Sequence, residues 1–164
     1  MNKLKMMVVV VIVIAMVALP SLAADVSYGA TVLSGQNTVV TTSNGNFGSI
    51  MAGSEKVIFK SVNLSNSGDI DATVSAKFST FNTTGVYGLK NTTSDKVIDG
   101  TNFYLRKNAT ISWTGLFNTD TYTVSITTVP AGGSIVAMDA RLVTVTGGPT
   151  GTFSGTVVLL FANV

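Results

Sequence analysis

Cysteine and histidine are both missing from this 164-residue chain. Without Cys there are no disulfide staples and no thiolate nucleophile. Without His the chain lacks the commonest general base and metal ligand, and with them the Ser-His-Asp triad. Charge is scarce too. Asp, Glu, Lys and Arg make up 11% of the residues, against about a quarter in an ordinary globular domain. Ten basic residues face eight acidic ones, and no Lys/Arg cluster forms a basic stripe, so nucleic acid is not an expected partner. A near-neutral surface invites self-association, although a Ser/Thr-rich one stays soluble without charge. No glycine-rich phosphate or dinucleotide motif opens a helix. Taken together, these absences exclude the commoner catalytic machineries, and the chain reads as a non-enzyme with no cofactor.

Long apolar runs are confined to the N-terminus. Lys3 and Lys5 precede an unbroken apolar stretch at 6–19, Pro20 breaks it, and Ser21-Leu22-Ala23 offers a small-x-small exit. That order predicts a secretory signal peptide over 1–23, cleaved before Ala24; a bilayer span needs about 20 apolar residues. The protein is then expected outside the cell, touching membrane only through the leader. The competing reading, a retained helix as in type IV-like pilins, lacks a Gly or Ala processing site between Lys5 and the apolar run. Removing Lys3 and Lys5 leaves a mature chain with eight charges of each sign.

Beyond the leader, no stretch keeps helical periodicity over three turns, whereas period-two alternation recurs between turn signals. Ile70, Ala72, Val74, Ala76 and Phe78 form one face of a predicted strand. Tyr122, Val124 and Ile126 do the same within 121–129, as do Val136, Met138, Ala140 and Leu142 within 134–146. A strand over 55–64 carries Ile58, Val62 and Leu64; shorter strands are expected at 86–89, 102–105 and 110–113. The last strand is apolar on both faces, with Phe153, Gly155, Val157, Leu159 and Phe161 against Val158, Leu160 and Ala162. Such a strand is central and covered, or part of an interface. Asn66-Ser67-Gly68-Asp69 reads as a hairpin turn; Pro130-Ala131-Gly132-Gly133 and 147–151 are further turns. The expected fold is all-β: a single jelly-roll or immunoglobulin-like β-sandwich of about eight to nine strands over 49–164.

Polar candidates carry less weight. Asp69 and Asp71, with Asp95 and Asp99 nearby, hold oxygen donors of the kind calcium takes, but they also suit solvated turns, and no metal site is assigned. Four N-glycosylation sequons begin at Asn63, Asn82, Asn91 and Asn108. With 11 Asn and 38 Ser or Thr in 24–164, chance alone gives about three. Covalent glycans are therefore a candidate modification, with Asn82 and Asn91 read as loop-exposed.

The segment 24–48 carries the sharper expectation. Val26, Tyr28, Ala30 and Val32 alternate with Ser27, Gly29, Thr31 and Leu33, and a Gly/Asn/Thr/Ser-rich, flexible-looking stretch follows to Gly48. This is either the first strand of the sandwich or a donor strand that completes a neighbour's sheet. Burying four such side chains is worth on the order of 5–10 kcal/mol. Head-to-tail insertion does not close on itself and gives an open filament.

The run 46–54, the run 62–72 and the tail 149–157 resemble the camelysin/TasA biofilm-fibre family and the archaeal bundling pilins: a small-Gly-Ser approach to a strand, an N-x-G-D turn and a closing strand. The resemblance implies a jelly-roll subunit that polymerises with identical subunits through an N-terminal donor strand, in a pilus or biofilm matrix at the cell surface. The peptidase activity reported for that family does not carry over, because no His-based zinc motif exists here. The rival class is a surface adhesin or carbohydrate-binding sandwich, with Trp113, Phe117, Tyr87, Tyr104 and Phe103 available for an aromatic platform or for the core.

Overall fold

A computed structural model describes residues 21–23, 26–33, 38–43 and 45–164; before Gly45 it describes the side chain of Tyr28 alone. The leader's charged and apolar parts and Ala24 lie outside the described residues. Along the chain come β1 (Ser21–Ala23), β2 (Val26–Leu33), β3 (Thr38–Ser43), β4 (Ile50–Met51), β5 (Glu55–Asn66), β6 (Ala72–Phe78) and β7 (Gly88–Asn91). Then follow β8 (Val97–Asp99), a 3-10 turn (Gly100–Asn102), β9 (Phe103–Lys107), β10 (Thr114–Gly115), β11 (Thr127–Val129), β12 (Ile135–Val143) and β13 (Phe153–Asn163). The all-β expectation holds, and the strands stack as a β-sandwich. Several are too short to register as alternation in the sequence.

One sheet runs β10-β9-β12-β5-β3; the other is built around β6 and β13, with β11 beside β6. β1 and β4 form a separate two-stranded ladder, so the last three residues read as leader pair with Ile50 and Met51. β3 and the fully buried Phe47 fall inside the stretch read as a flexible approach, and both belong to the sandwich.

The core lies where the alternating faces meet. Ala72, Val74, Ala76 and Phe78 of β6 are buried, as are Val136, Met138, Ala140 and Leu142 of β12 and Val62 and Leu64 of β5. Ile70 is a correction: it is 52% exposed and precedes the strand. A second correction concerns 121–129, where only Thr127–Val129 is strand and the parity is inverted. Thr123 is buried and Val124 is 74% exposed. The Thr123 hydroxyl accepts the backbone N–H of Ala76 at 3.1 Å, taking the place of a ladder carbonyl at the edge of β6. The expected strand at 110–113 is absent; β10 starts at Thr114.

Asn66-Ser67-Gly68-Asp69 is not a hairpin. It carries the chain from β5 in one sheet to β6 in the other, and the turn at 130–133 crosses back from β11 to β12. The two arches are joined: the N–H groups of Gly132 and Gly133 donate to the carbonyls of Gly68 and Asn66 at 3.1 and 2.6 Å. Both glycines sit at positive φ, which side chains disfavour. Asn66, itself buried, donates from Nδ2 to the carbonyls of Ile70 and Val129.

A bulge in β5 shapes the interior. Met138 stands opposite Val62 and Ala140 opposite Ile58, so Phe59, Lys60 and Ser61 face Asp139 alone. Two extra residues keep Ile58 in phase with Val62 and Leu64, while Lys60 takes φ 52°. The Asp139 carboxylate, 0% exposed, holds this irregularity. It accepts from Lys60 N at 3.0 Å, Arg106 Nε at 3.0 Å and Asn108 Nδ2 at 2.8 Å. Breaking a buried ion pair from one side leaves the partner's charge uncompensated. Asp139→Ala is therefore expected to cost about 3–5 kcal/mol of unfolding free energy in urea titration; a loss below about 1 kcal/mol, the range of an exposed pair, would contradict the role given to this carboxylate.

Candidate functional site: the edge of the C-terminal strand

β13 has neighbours on both edges. Phe153 lies opposite both Asn91 of β7 and Val26 of β2, and Val157–Leu160 lie opposite both β6 and β2. β6 and β7 therefore share one edge in succession, and β2 occupies the other. The β2 pairing is parallel, with Val26, Tyr28, Ala30 and Val32 at register positions opposite Phe153, Gly155, Val157 and Leu159. Phe153, Val157 and Leu159 are fully buried, and Val158 on the opposite face is buried as well. The sequence expectation of a strand apolar on both sides and covered thus holds for Val158, whereas Ala162 is exposed.

Of the four residues assigned to the donor strand, Tyr28 is the one whose side chain is described; those of Val26, Ala30 and Val32 lie outside the described residues. Tyr28 enters the core and is 6% exposed. Its ring packs edge-on against Phe103 at 5.1 Å between centroids and lies 6.3 Å from Phe47. Phe47 and Phe78 also meet Phe103 edge-on, at 5.9 and 5.2 Å. Edge-to-face pairs at this spacing add roughly 0.5–1.5 kcal/mol each beyond area burial.

The phenol is satisfied from the opposite sheet. Tyr28 Oη donates to Ser61 Oγ at 2.7 Å, and Ser61 Oγ donates to the Met138 carbonyl at 3.2 Å. Ser61 faces inward because of the bulge that Asp139 holds. Burial pushes the Tyr28 phenol up to about 12, with the Ser61 hydrogen bond acting the other way. On the backbone side, Tyr28 N donates to the Gly45 carbonyl at 3.2 Å. A Cβ on Gly45 would stand 2.4 Å from the Tyr28 ring, so the residue beside the ring has to be glycine. Sequence reading found Tyr28 by alternation but missed Gly45, Phe47 and Ser61. Phe47 was the legible one, as an isolated large apolar residue amid polar ones.

The single chain houses β2 in its own slot, where the donor reading places it on a neighbour. The other candidates are dispersed. Asp71 accepts from Ala131 N at 2.9 Å, and Asp99 accepts from Thr101 N and Asn118 Nδ2. Asp95 accepts from the Thr83 hydroxyl and amide and pairs with Lys90 at 3.1 Å; the Thr83 bonds hold its carboxyl below its ordinary value. Among the described residues, no three acidic side chains converge as metal ligands. Of the aromatic platform candidates, Phe103 is core, Tyr87 packs on Phe81, and Trp113 and Tyr104 stack on Arg106 and Arg141. Asn91 is a correction: it is 6% exposed, in β7, not on an open loop. No family model matches the sequence, and no characterised protein does.

Tyr28→Phe removes one buried hydrogen bond and is expected to cost about 1 kcal/mol. Because the folded phenol is held above its unfolded value of about 10, its contribution is complete below pH 10 and is lost as pH rises through about 12. Absorbance titration of tyrosinate should show a component near pH 12 that Tyr28→Phe abolishes. Its survival in that variant would contradict the burial described here.

Proposed function

We propose that this chain is a structural, non-catalytic subunit of an extracellular filament, joined head to tail when the N-terminal strand of one copy fills the β13 edge of the next. The observation that carries the reading is β2 itself. It is a parallel strand, so no tight turn ties it to the strand it pairs with, and its partner lies at the far end of the sequence. Ser34-Gly35-Gln36-Asn37 links it to β3, and under the cleavage expected before Ala24 that is the one covalent link it keeps into the rest of the fold. A strand attached in this way makes the same contacts in its own subunit or in a twin, which is the condition for low-cost exchange of an element.

The energetics favour keeping the slot filled. An eight-residue strand supplies ladder hydrogen bonds of about 1 kcal/mol each, and burial of an aromatic side chain adds roughly 1.5–3 kcal/mol. With the strand gone, the backbone groups on that one edge of β13 along Phe153–Leu160 stand unpaired beside buried apolar side chains, the template on which chains add to one another. Copy-to-copy exchange neither gains nor loses these contacts, so the local concentration of subunits and the strain of the link select between monomer and polymer. The scarcity of charge removes the repulsion that would oppose packing of copies.

A chain lacking 24–33 should give no filaments by electron microscopy. The full-length Tyr28→Asp variant, which puts a charge where the phenol sits, should assemble as poorly. A synthetic 24–33 peptide should bind the shortened chain and raise its melting temperature. Filaments persisting in both variants would overturn the proposal.

A further inference from the structure

The four sequons are unequal once folded, and the contrast is sharpest between two that share one sequence. Asn82-Thr83-Thr84 and Asn91-Thr92-Thr93 make the same local turn: each Asn Oδ1 accepts the backbone N–H and the hydroxyl of the Thr two residues on. Their amide nitrogens differ. Asn91 Nδ2 donates to the Thr150 carbonyl at 3.3 Å and is pressed against Gly151, where a Cβ would come within 2.4 Å of it. No described residue accepts a hydrogen bond from Asn82 Nδ2; Asn82 is half-buried, and its neighbours Phe81, Thr83, Thr84 and Gly85 are all exposed. Asn82 sits at the start of a tight turn closed by Gly85 N donating to its carbonyl at 3.0 Å. A bridge between Phe81 and Tyr87 closes the base of the turn, and Thr83 ties it to Asp95.

The other two sequons are engaged elsewhere. Asn108 Nδ2 donates to the buried Asp139 carboxylate. Asn63 lies in the middle of β5, with ladder partners on both sides at Ala137 and Thr42. We infer that Asn82 is the N-glycan acceptor of the folded chain and that Asn63, Asn91 and Asn108 are silent. The donor is a lipid-pyrophosphate-linked oligosaccharide. The bond from Asn82 Nδ2 to the sugar C1 forms, the C1–O bond to the pyrophosphate breaks, the lipid pyrophosphate leaves, and one amide proton passes to solvent. This holds whether or not the chain polymerises.

The test is to incubate the purified, folded full-length chain with an oligosaccharyltransferase and that donor, then map the sites by mass spectrometry. A synthetic peptide spanning 71–94, which contains both Asn-Thr-Thr sequons without the fold, serves as the comparison. The expected result is label on Asn82 alone in the folded chain, complete loss of label in Asn82→Gln, and label on both Asn82 and Asn91 in the peptide. Label on Asn63, Asn91 or Asn108 of the folded chain, or none on Asn82, would overturn the assignment. So would a peptide that takes label on Asn82 alone, since the choice would then lie in the sequence and not in the fold.

Discussion

A sheet whose last strand is buried on both faces cannot leave one edge of that strand bare. β13 presents Phe153, Val157 and Leu159 to the core and Val158 to the outer face, while β6 and β7 cover only one of its edges. The other edge carries backbone amides that need partners at a depth where water supplies them poorly. β2 meets that need, and most of what is distinctive in the fold serves its seat. Asp139 holds the β5 bulge, the bulge turns Ser61 inward, and Ser61 receives the Tyr28 phenol. Gly45 leaves the space the ring occupies. A carboxylate on the outer side of one sheet is thus connected, through two hydrogen bonds and the Lys60–Ser61 peptide between them, to the position of a strand in the other.

This arrangement separates what is covalent from what is structural. The hairpin-like neighbours of a sandwich are tied by turns, and the crossings at 66–69 and 130–133 are tied further by hydrogen bonds between the arches. β2 has neither kind of tie to β13. The same slot serves an isolated subunit and, under the function proposed, a chain of them, with mass action deciding between the two.

How much of this the sequence revealed depends on how far each feature is set by local pattern. The faces of β6 and β12 were legible from Ala72 to Phe78 and from Val136 to Leu142 because alternation is a property of consecutive residues. The alternation over 26–33 was legible for the same reason, and Tyr28 falls on the buried side it predicts. The parity of 121–129 was not, since a Thr hydroxyl can replace a backbone acceptor and so bring the polar residue inward. Asn66-Ser67-Gly68-Asp69 has the composition of a hairpin, yet whether a turn joins neighbours in one sheet or crosses between two depends on distant pairings. Asp139, which alternates with the core-facing Met138 and Ala140, is buried under Arg106 and Asn108 from another strand and the turn that follows it. The burial of Asn91 likewise depends on Thr150 and Gly151, some sixty residues away.

The absence of cysteine makes the central claim directly measurable, because two introduced thiols have no competitors. Ser27 and Ser154 are register partners on β2 and β13, and replacing both with Cys changes one atom in each. Filaments of this double variant, oxidised and run on a non-reducing denaturing gel, should give a ladder of covalently linked multimers. A single band of internally cross-linked monomer from intact filaments would show that each subunit keeps its own strand, and the account of assembly would fail.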